Sequence, residues 1–275
     1  MDRRSFLGTV TGAGLMANRL SWAVENRKID MIGVQLYTVR DAMKEDFDGT
    51  LAKVASAGYR EVEFAGYFDR SPKDVKAALA RAGLVSPSAH FDNSYLGEKW
   101  PAVLESANII GQQYVVCSHI DEKTRQEPGS WPRLADLFNR SGEAARKAGL
   151  QFAYHNHSFE FPPVDGKLPY DILLNSTDPN LVKMEMDLYW IVNAGADPLA
   201  YFNRYPGRFP LVHVKGRAKN GDITEVKADN VIDWKAIFAQ SERAGIKHYF
   251  VEQDKSSSPF ESIRTSFNYL HELRF

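Results

Sequence analysis

Gly245-Ile246-Lys247-His248-Tyr249-Phe250-Val251-Glu252 carries the pattern that sets the fold. A helical stretch ends at the glycine, which takes the left-handed backbone that other residues resist. The mostly apolar run after it suits a strand buried on both faces, and a polar side chain stands at its tip. The same unit recurs from Gly58 to Glu63, Gly83 to His90, Gly149 to His155 and Gly207 to His213. Repeated in this way, it predicts an α/β fold of the (β/α)8 TIM barrel kind, in which strand C-terminal ends converge on one mouth. Glu63, His90, His155, His213 and Glu252 would then meet despite their separation in sequence. Such a gathering of imidazoles and carboxylates points to an enzyme.

The chain has 275 residues, enough for one barrel of about 250 residues and an N-terminal extension. A hydrophobic fraction of 44% supplies a core. The formal net charge of -1 gives no electrostatic reason to expect nucleic acid or an anionic membrane, so a small neutral or weakly charged partner fits better. Cys117 is the sole cysteine, which excludes an intramolecular disulfide, and its apolar surroundings from Tyr114 suit an inert buried thiol.

Residues 1–23 stand apart. Arg3-Arg4-Ser5-Phe6-Leu7 is followed by a Gly-, Ala- and Leu-rich stretch to Leu20, and Ser21-Trp22-Ala23 offers small residues where a signal peptidase reads. This resembles a twin-arginine export signal, which implies a periplasmic or otherwise exported protein with a mature chain beginning near Val24. Asn18 and Arg19 break the stretch, leaving it too short for a membrane span of about 20 residues. The expected domains are therefore the signal, 1–23, and the barrel, 24–275.

The alternation runs through the rest without a linker. Strands are expected at 29–36, 61–64, up to His90, 114–117, 152–155, 182–186, 209–212 and 249–251. Helices are expected at 48–57, 72–82, 100–110, 131–148, 170–175, 198–204, 234–244 and from Pro259 to the C-terminus. Ser71-Pro72 pairs a capping serine with proline at the first helical position. Lys215 to Val231 reads as a long polar loop.

Asp187, His213 and Glu252 close three successive strands. Mixed imidazole and carboxylate donors suit one divalent Mn, Zn, Fe or Co ion better than Ca. A fourth carboxylate is expected from Tyr154-His155-Asn156-His157-Ser158-Phe159-Glu160, where Glu160 is the sole carboxylate.

Gly33-Val34-Gln35-Leu36-Tyr37-Thr38, Gly58 to Phe64, Tyr154-His155-Asn156-His157, Met186-Asp187, Val212-His213-Val214-Lys215 and Val251-Glu252 resemble segments of the sugar phosphate isomerase/epimerase superfamily. This xylose-isomerase-like TIM barrel group also includes ketose 3-epimerases, inosose dehydratases and endonuclease IV. The resemblance implies that Asp187, His213 and Glu252 are metal ligands, Glu252 being a catalytic carboxylate as well. Ketose 3-epimerases of the group carry a glutamate on strand five as ligand and base. Here Tyr154 or His155 stands in its place, which likens the chain to the Tyr-His-Asn-His branch and makes Glu160 the candidate fourth ligand. His155 and His157 become candidate acid/base groups, since imidazole titrates near neutrality.

The chemistry so implied is removal of a proton next to a carbonyl, with metal stabilising the enediolate. Returning the proton epimerises or isomerises; expelling a β-substituent makes a dehydratase or lyase. Lys215, two residues past His213 on one face, is a candidate to neutralise the enediolate or protonate a leaving oxygen, or is simply solvated. Gln35, Glu63 and His90 are candidate binders of sugar hydroxyls, and Trp190, with Tyr189, offers an aromatic face for a sugar ring. The leading expectation is an isomerase or epimerase of a non-phosphorylated sugar or keto-sugar, with a dehydratase of a keto-sugar, keto-glycoside or inosose as the alternative. A non-catalytic carbohydrate-binding barrel, with or without pairing into a homo-oligomer, also fits. An endonuclease-IV-like phosphodiesterase fits poorly, because a neutral chain lacks the basic surface DNA needs.

Overall fold

The computed structural model describes residues 27–275. The expected export signal and the chain start near Val24 lie outside the described residues. Eight parallel strands close into a barrel: β1 (Ile32–Gln35), β2 (Glu61–Ala65), β3 (Val85–Asp92), β4 (Tyr114–His119), β5 (Gln151–His155), β6 (Val182–Asp187), β7 (Leu211–Val214) and β8 (His248–Val251). Each strand pairs with its neighbours in chain order, and β8 returns to β1 through Ile32 opposite Tyr249 and Val34 opposite Val251. Helices alternate with the strands, so the fold is a TIM barrel.

Local chemistry explains the alternation. Gly58, Gly83, Gly149, Gly207 and Gly245 all have positive φ, between 67° and 111°, at the turns that deliver the chain into strands. Before the helix Pro72–Ala82, Ser71 Oγ accepts from Asp74 N at 3.2 Å. Strand seven is shifted from the expected 209–212 to Leu211–Val214, since Pro210 has no N–H to give the ladder. The expected helix from Trp234 to Ala244 breaks into Trp234–Ala239 and Ser241–Ala244, where the Ser241 hydroxyl donates to Phe238 O at 2.6 Å. The polar loop after Lys215 contains a two-stranded antiparallel ribbon, Gly216–Arg217 with Ile223–Thr224.

Strand side chains alternate between two cores. Val34, Phe64, Phe152, Tyr154, Met186 and Val251 belong to the large core between sheet and helices. Cys117 lies there too, and burial pushes its thiol well up, as expected of an inert group. A separate small cluster, Tyr114, Val116, Ala153, Leu211 and Phe250, floors the barrel interior. Below it His248 Nδ1 meets Glu61 Oε2 at 3.0 Å. Gly33 makes room for this floor, because a Cβ there would stand 2.5 Å from the Phe250 ring. Above the floor the inward positions turn polar: Glu63 and Ser88, then His90, His155, Glu185 and Asp187. Among the described residues no helix is long and apolar enough to cross a membrane.

Candidate metal centre

Three strand ends bring Asp187, His213 and Glu252 together with their donor atoms within 4.8 Å of one another. His213 Nδ1 lies 2.9 Å from Glu252 Oε2 and 4.0 Å from Asp187 Oδ2. Asp187 ends β6 and caps the short helix Leu188–Asn193, where its Oδ1 accepts from Trp190 N at 2.9 Å. The other oxygen, Oδ2, is buried and has no hydrogen-bond partner. A buried carboxylate oxygen without a donor is costly, and a cation is a natural partner for it. Lys215 Nζ is 3.1 Å from that oxygen but is not aligned as a donor to it; it also lies 2.8 Å from Glu252 Oε2 and 2.8 Å from Asp254 Oδ2. The donor set is one that a divalent ion fits.

Beside this trio, His90, His155, Glu185 and His213 form an overlapping group. His155 faces inward from the end of β5, with Nε2 3.8 Å from Asp187 Oδ2 and Nδ1 3.2 Å from Glu185 Oε2. His90 Nε2 contacts Glu185 Oε2 at 2.5 Å and Glu63 Oε2 at 3.0 Å. A cavity of about 430 Å³ opens above, with His90, His155, His157, Lys215, Glu252 and Asp254 on its wall.

Glu160, the expected fourth ligand, is held elsewhere. Its carboxylate accepts from Tyr154 Oη at 2.5 Å and from His157 N at 2.9 Å. Strand alternation explains this: Tyr154 points out of the barrel, and Glu160, in the loop beyond β5, follows it outward. On β5 the side chain that turns inward toward Asp187 is His155, with Nε2 3.8 Å from Asp187 Oδ2. Gln35 and Glu63, expected to meet sugar hydroxyls, lie beneath the cavity, where Gln35 Nε2 donates to Glu63 Oε2 at 2.8 Å. His90 and Lys215 do reach the cavity. Trp190 stands behind Lys215, whose Nζ is 5.2 Å from its ring, and beside His157. Glu185 and Asp254 were not anticipated. Each lies two residues from a strand-end carboxylate, Asp187 or Glu252, and that spacing in extended chain was the available signal.

Burial and mutual charge set the protonation of the site. Burial would raise Glu252, but Lys215 and His213 hold it well below the usual carboxylate range. Burial raises Asp187, with Lys215 and His213 pulling the other way. Burial also opposes charge on Lys215, yet Asp187, Glu252 and Asp254 keep it well above its ordinary value. Burial lowers His157 to about 3, helped by the Lys215 charge, so this imidazole is neutral and a weak base.

Burial pushes Glu160 up to about 8 from 4.5. The folded chain therefore binds more protons than the unfolded chain between those values, and stability falls as pH rises across that window. This group alone accounts for a loss of up to about 5 kcal/mol. Glu160→Gln is expected to flatten the slope, seen as a smaller difference between urea unfolding at pH 5 and pH 8 than in the wild type. Equal slopes would mean that the folded state holds Glu160 ionised.

Residues 51–273 match the family model described as xylose isomerase-like TIM barrel. The chain belongs to that family, and with its acid and histidine cluster at the barrel mouth it is an enzyme. An inosose dehydratase of Lacticaseibacillus casei is 27% identical over 267 residues, covering 82% of this chain and 88% of its own. The crystal structure of a sugar phosphate isomerase/epimerase from Parabacteroides distasonis is 26% identical with a TM-score of 0.78, covering 88% of this chain and 96% of that one. In fold alone the chain is also similar to the IolI protein with a bound zinc atom, at 15% identity and a TM-score of 0.69, covering 87% of this chain and 96% of that one.

Proposed function

We propose that this chain is a metal-dependent dehydratase that removes water from a keto-polyol or keto-sugar of the inosose kind. The observation that carries this reading is an imidazole, His157, and a buried ammonium, Lys215, lining one cavity with Glu252, whose carboxylate also groups with Asp187 and His213. The dehydratase names of its relatives favour elimination over the isomerase or epimerase expected first. Asp187, His213, Glu252 and His155 are the residues that would hold the ion, which when bound supplies a Lewis acid for a carbonyl oxygen and its neighbouring hydroxyl.

The side chains then divide the proton traffic. Glu252, which lines the cavity with His157, is the carboxylate that would accept the proton from the carbon next to the carbonyl, and His157 lies beside that path as a neutral hydrogen-bonding imidazole. Lys215 is protonated in the resting site against its three carboxylates, gives a hydrogen bond to the departing β-hydroxyl and, as the C–O bond breaks, gives up its proton so that the group leaves as water. Trp190 packs against both Lys215 and His157 and limits their movement. The cavity is of a size for one six-carbon ring. We infer further that Arg3-Arg4 opens an export signal and that this activity is exerted outside the cytoplasm, which fractionation of cells expressing the full chain would test.

Purified protein should be incubated in D2O with inososes, keto-glycosides and ketoses, with and without Mn or Co, and the products weighed. Metal-dependent loss of one water from an inosose is the expected result. Deuterium uptake without water loss would instead favour an epimerase or isomerase, the reading that the Parabacteroides distasonis structure supports by its name. Neither change, with metal bound, would sink both and leave a binding protein.

A further inference from the structure

Glu63 lies under the candidate centre and is fully buried, with both carboxylate oxygens engaged. Its Oε1 accepts from Ser88 Oγ at 2.6 Å. Its Oε2 accepts from Gln35 Nε2 at 2.8 Å, meets His213 Nε2 at 2.7 Å and lies 3.0 Å from His90 Nε2. Gln35 is itself fixed, because its Oε1 accepts from Tyr37 N at 3.1 Å. His213 thus shows one nitrogen, Nδ1, to Asp187 and Glu252 and the other, Nε2, to a carboxylate anchored on two further strands. An imidazole that binds a cation through one nitrogen carries its proton on the other, and an acceptor there fixes both tautomer and ring orientation.

We propose that Glu63 is a positioning residue: held by Gln35 and Ser88, it fixes His213 so that Nδ1 is presented to an ion shared with Asp187 and Glu252. This rests on the reading that those three residues hold a metal.

A rival use of the same region is a second cation among His90, His155, Glu185 and His213, whose donor atoms also approach one another. That site would need His213 Nε2 as a ligand. In the structure this nitrogen points at Glu63 Oε2 at 2.7 Å and is farther, 3.4 Å, from Glu185 Oε2. The geometry favours a single ion above and a supporting layer below.

The test is the binding of Mn and Co to the full chain by calorimetry, with the visible spectrum of the Co form as a report on ligand geometry. Glu63→Leu is expected to weaken binding by about 10- to 100-fold and to shift the Co bands. Glu63→Gln keeps a carbonyl acceptor and should recover most of the affinity and the native spectrum. Ser88→Ala, which loosens Glu63 without touching His213, should give a smaller loss in the same direction, and keeps the test informative if Glu63→Leu does not fold. Wild-type affinity and spectrum in both Glu63→Leu and Ser88→Ala would overturn the proposal. So would equal damage from Glu63→Gln and Glu63→Leu, or two ions per wild-type chain with one lost in Glu63→Leu. Failure of the wild type to bind either ion would overturn the metal reading itself, and this proposal with it.

Discussion

Asp187→Ala and His213→Ala are each expected to reduce bound metal from close to one equivalent to background and to lower kcat by at least about 10²–10³-fold. The same variants should fold. Asp187 is one of four fully or nearly fully buried carboxylates at the centre, with Glu63, Glu185 and Glu252, and its Oδ2 has no aligned donor. Removing it relieves the cost of burying that carboxylate, which Lys215 and His213 offset only in part, as well as deleting a ligand. Metal-free Asp187→Ala should therefore melt no lower than the metal-free wild type, apart from the lost cap on the helix Leu188–Asn193, worth about 1 kcal/mol. Adding Mn at 1,000 times its Kd should stabilise the wild type by about 4 kcal/mol and the variant by almost nothing. Thermal melts with and without Mn, beside elemental analysis, check both halves. Full metal content in both variants would remove Asp187 and His213 from the centre.

The second large effect belongs to Lys215. Its ammonium is 1% exposed and stands among Asp187, Glu252 and Asp254, so Lys215→Met strips a buried charge of its role against three carboxylates. Breaking a buried pair in this way costs about 3–5 kcal/mol in the metal-free protein. Metal binding should survive, because Asp187, His213, Glu252 and His155 all remain and a competing cation is gone. Turnover should not survive: loss of the proton donor predicts a fall in kcat of about 10²–10⁴-fold. Metal-loaded Lys215→Met with wild-type kcat would reduce Lys215 to a counter-ion, and steady-state kinetics on the accepted substrate decides between the two.

The barrel was legible because its signals are local. A glycine closing a helix, an apolar run and a polar tip recur wherever a strand enters, and each glycine reads out one backbone conformation. Asp187, His213 and Glu252 were legible for the same reason, since they stand at strand ends. Glu160 was misplaced because composition shows which carboxylate is near β5 but not which side of the sheet it follows; the Tyr154 hydroxyl draws it outward. Glu185 was overlooked inside the apolar-looking Met184-Glu185-Met186, although alternation alone turns it inward with Asp187. The role of Glu63 depends on side chains from β1, β3 and β7, and such distant convergence leaves no mark in a single stretch of sequence. The break at Gln240 turns on one serine hydroxyl taking the carbonyl of Phe238, which periodicity does not register.

The floor of Tyr114, Val116, Ala153, Leu211 and Phe250 makes the barrel a vessel with one opening. Whatever is consumed and whatever is made must use the same doorway past His157 and Lys215, in opposite directions. A product that is slow to leave blocks the next substrate, so accumulated product should act as a competitive inhibitor. Turnover can then be no faster than the doorway clears, however quick the chemistry behind it.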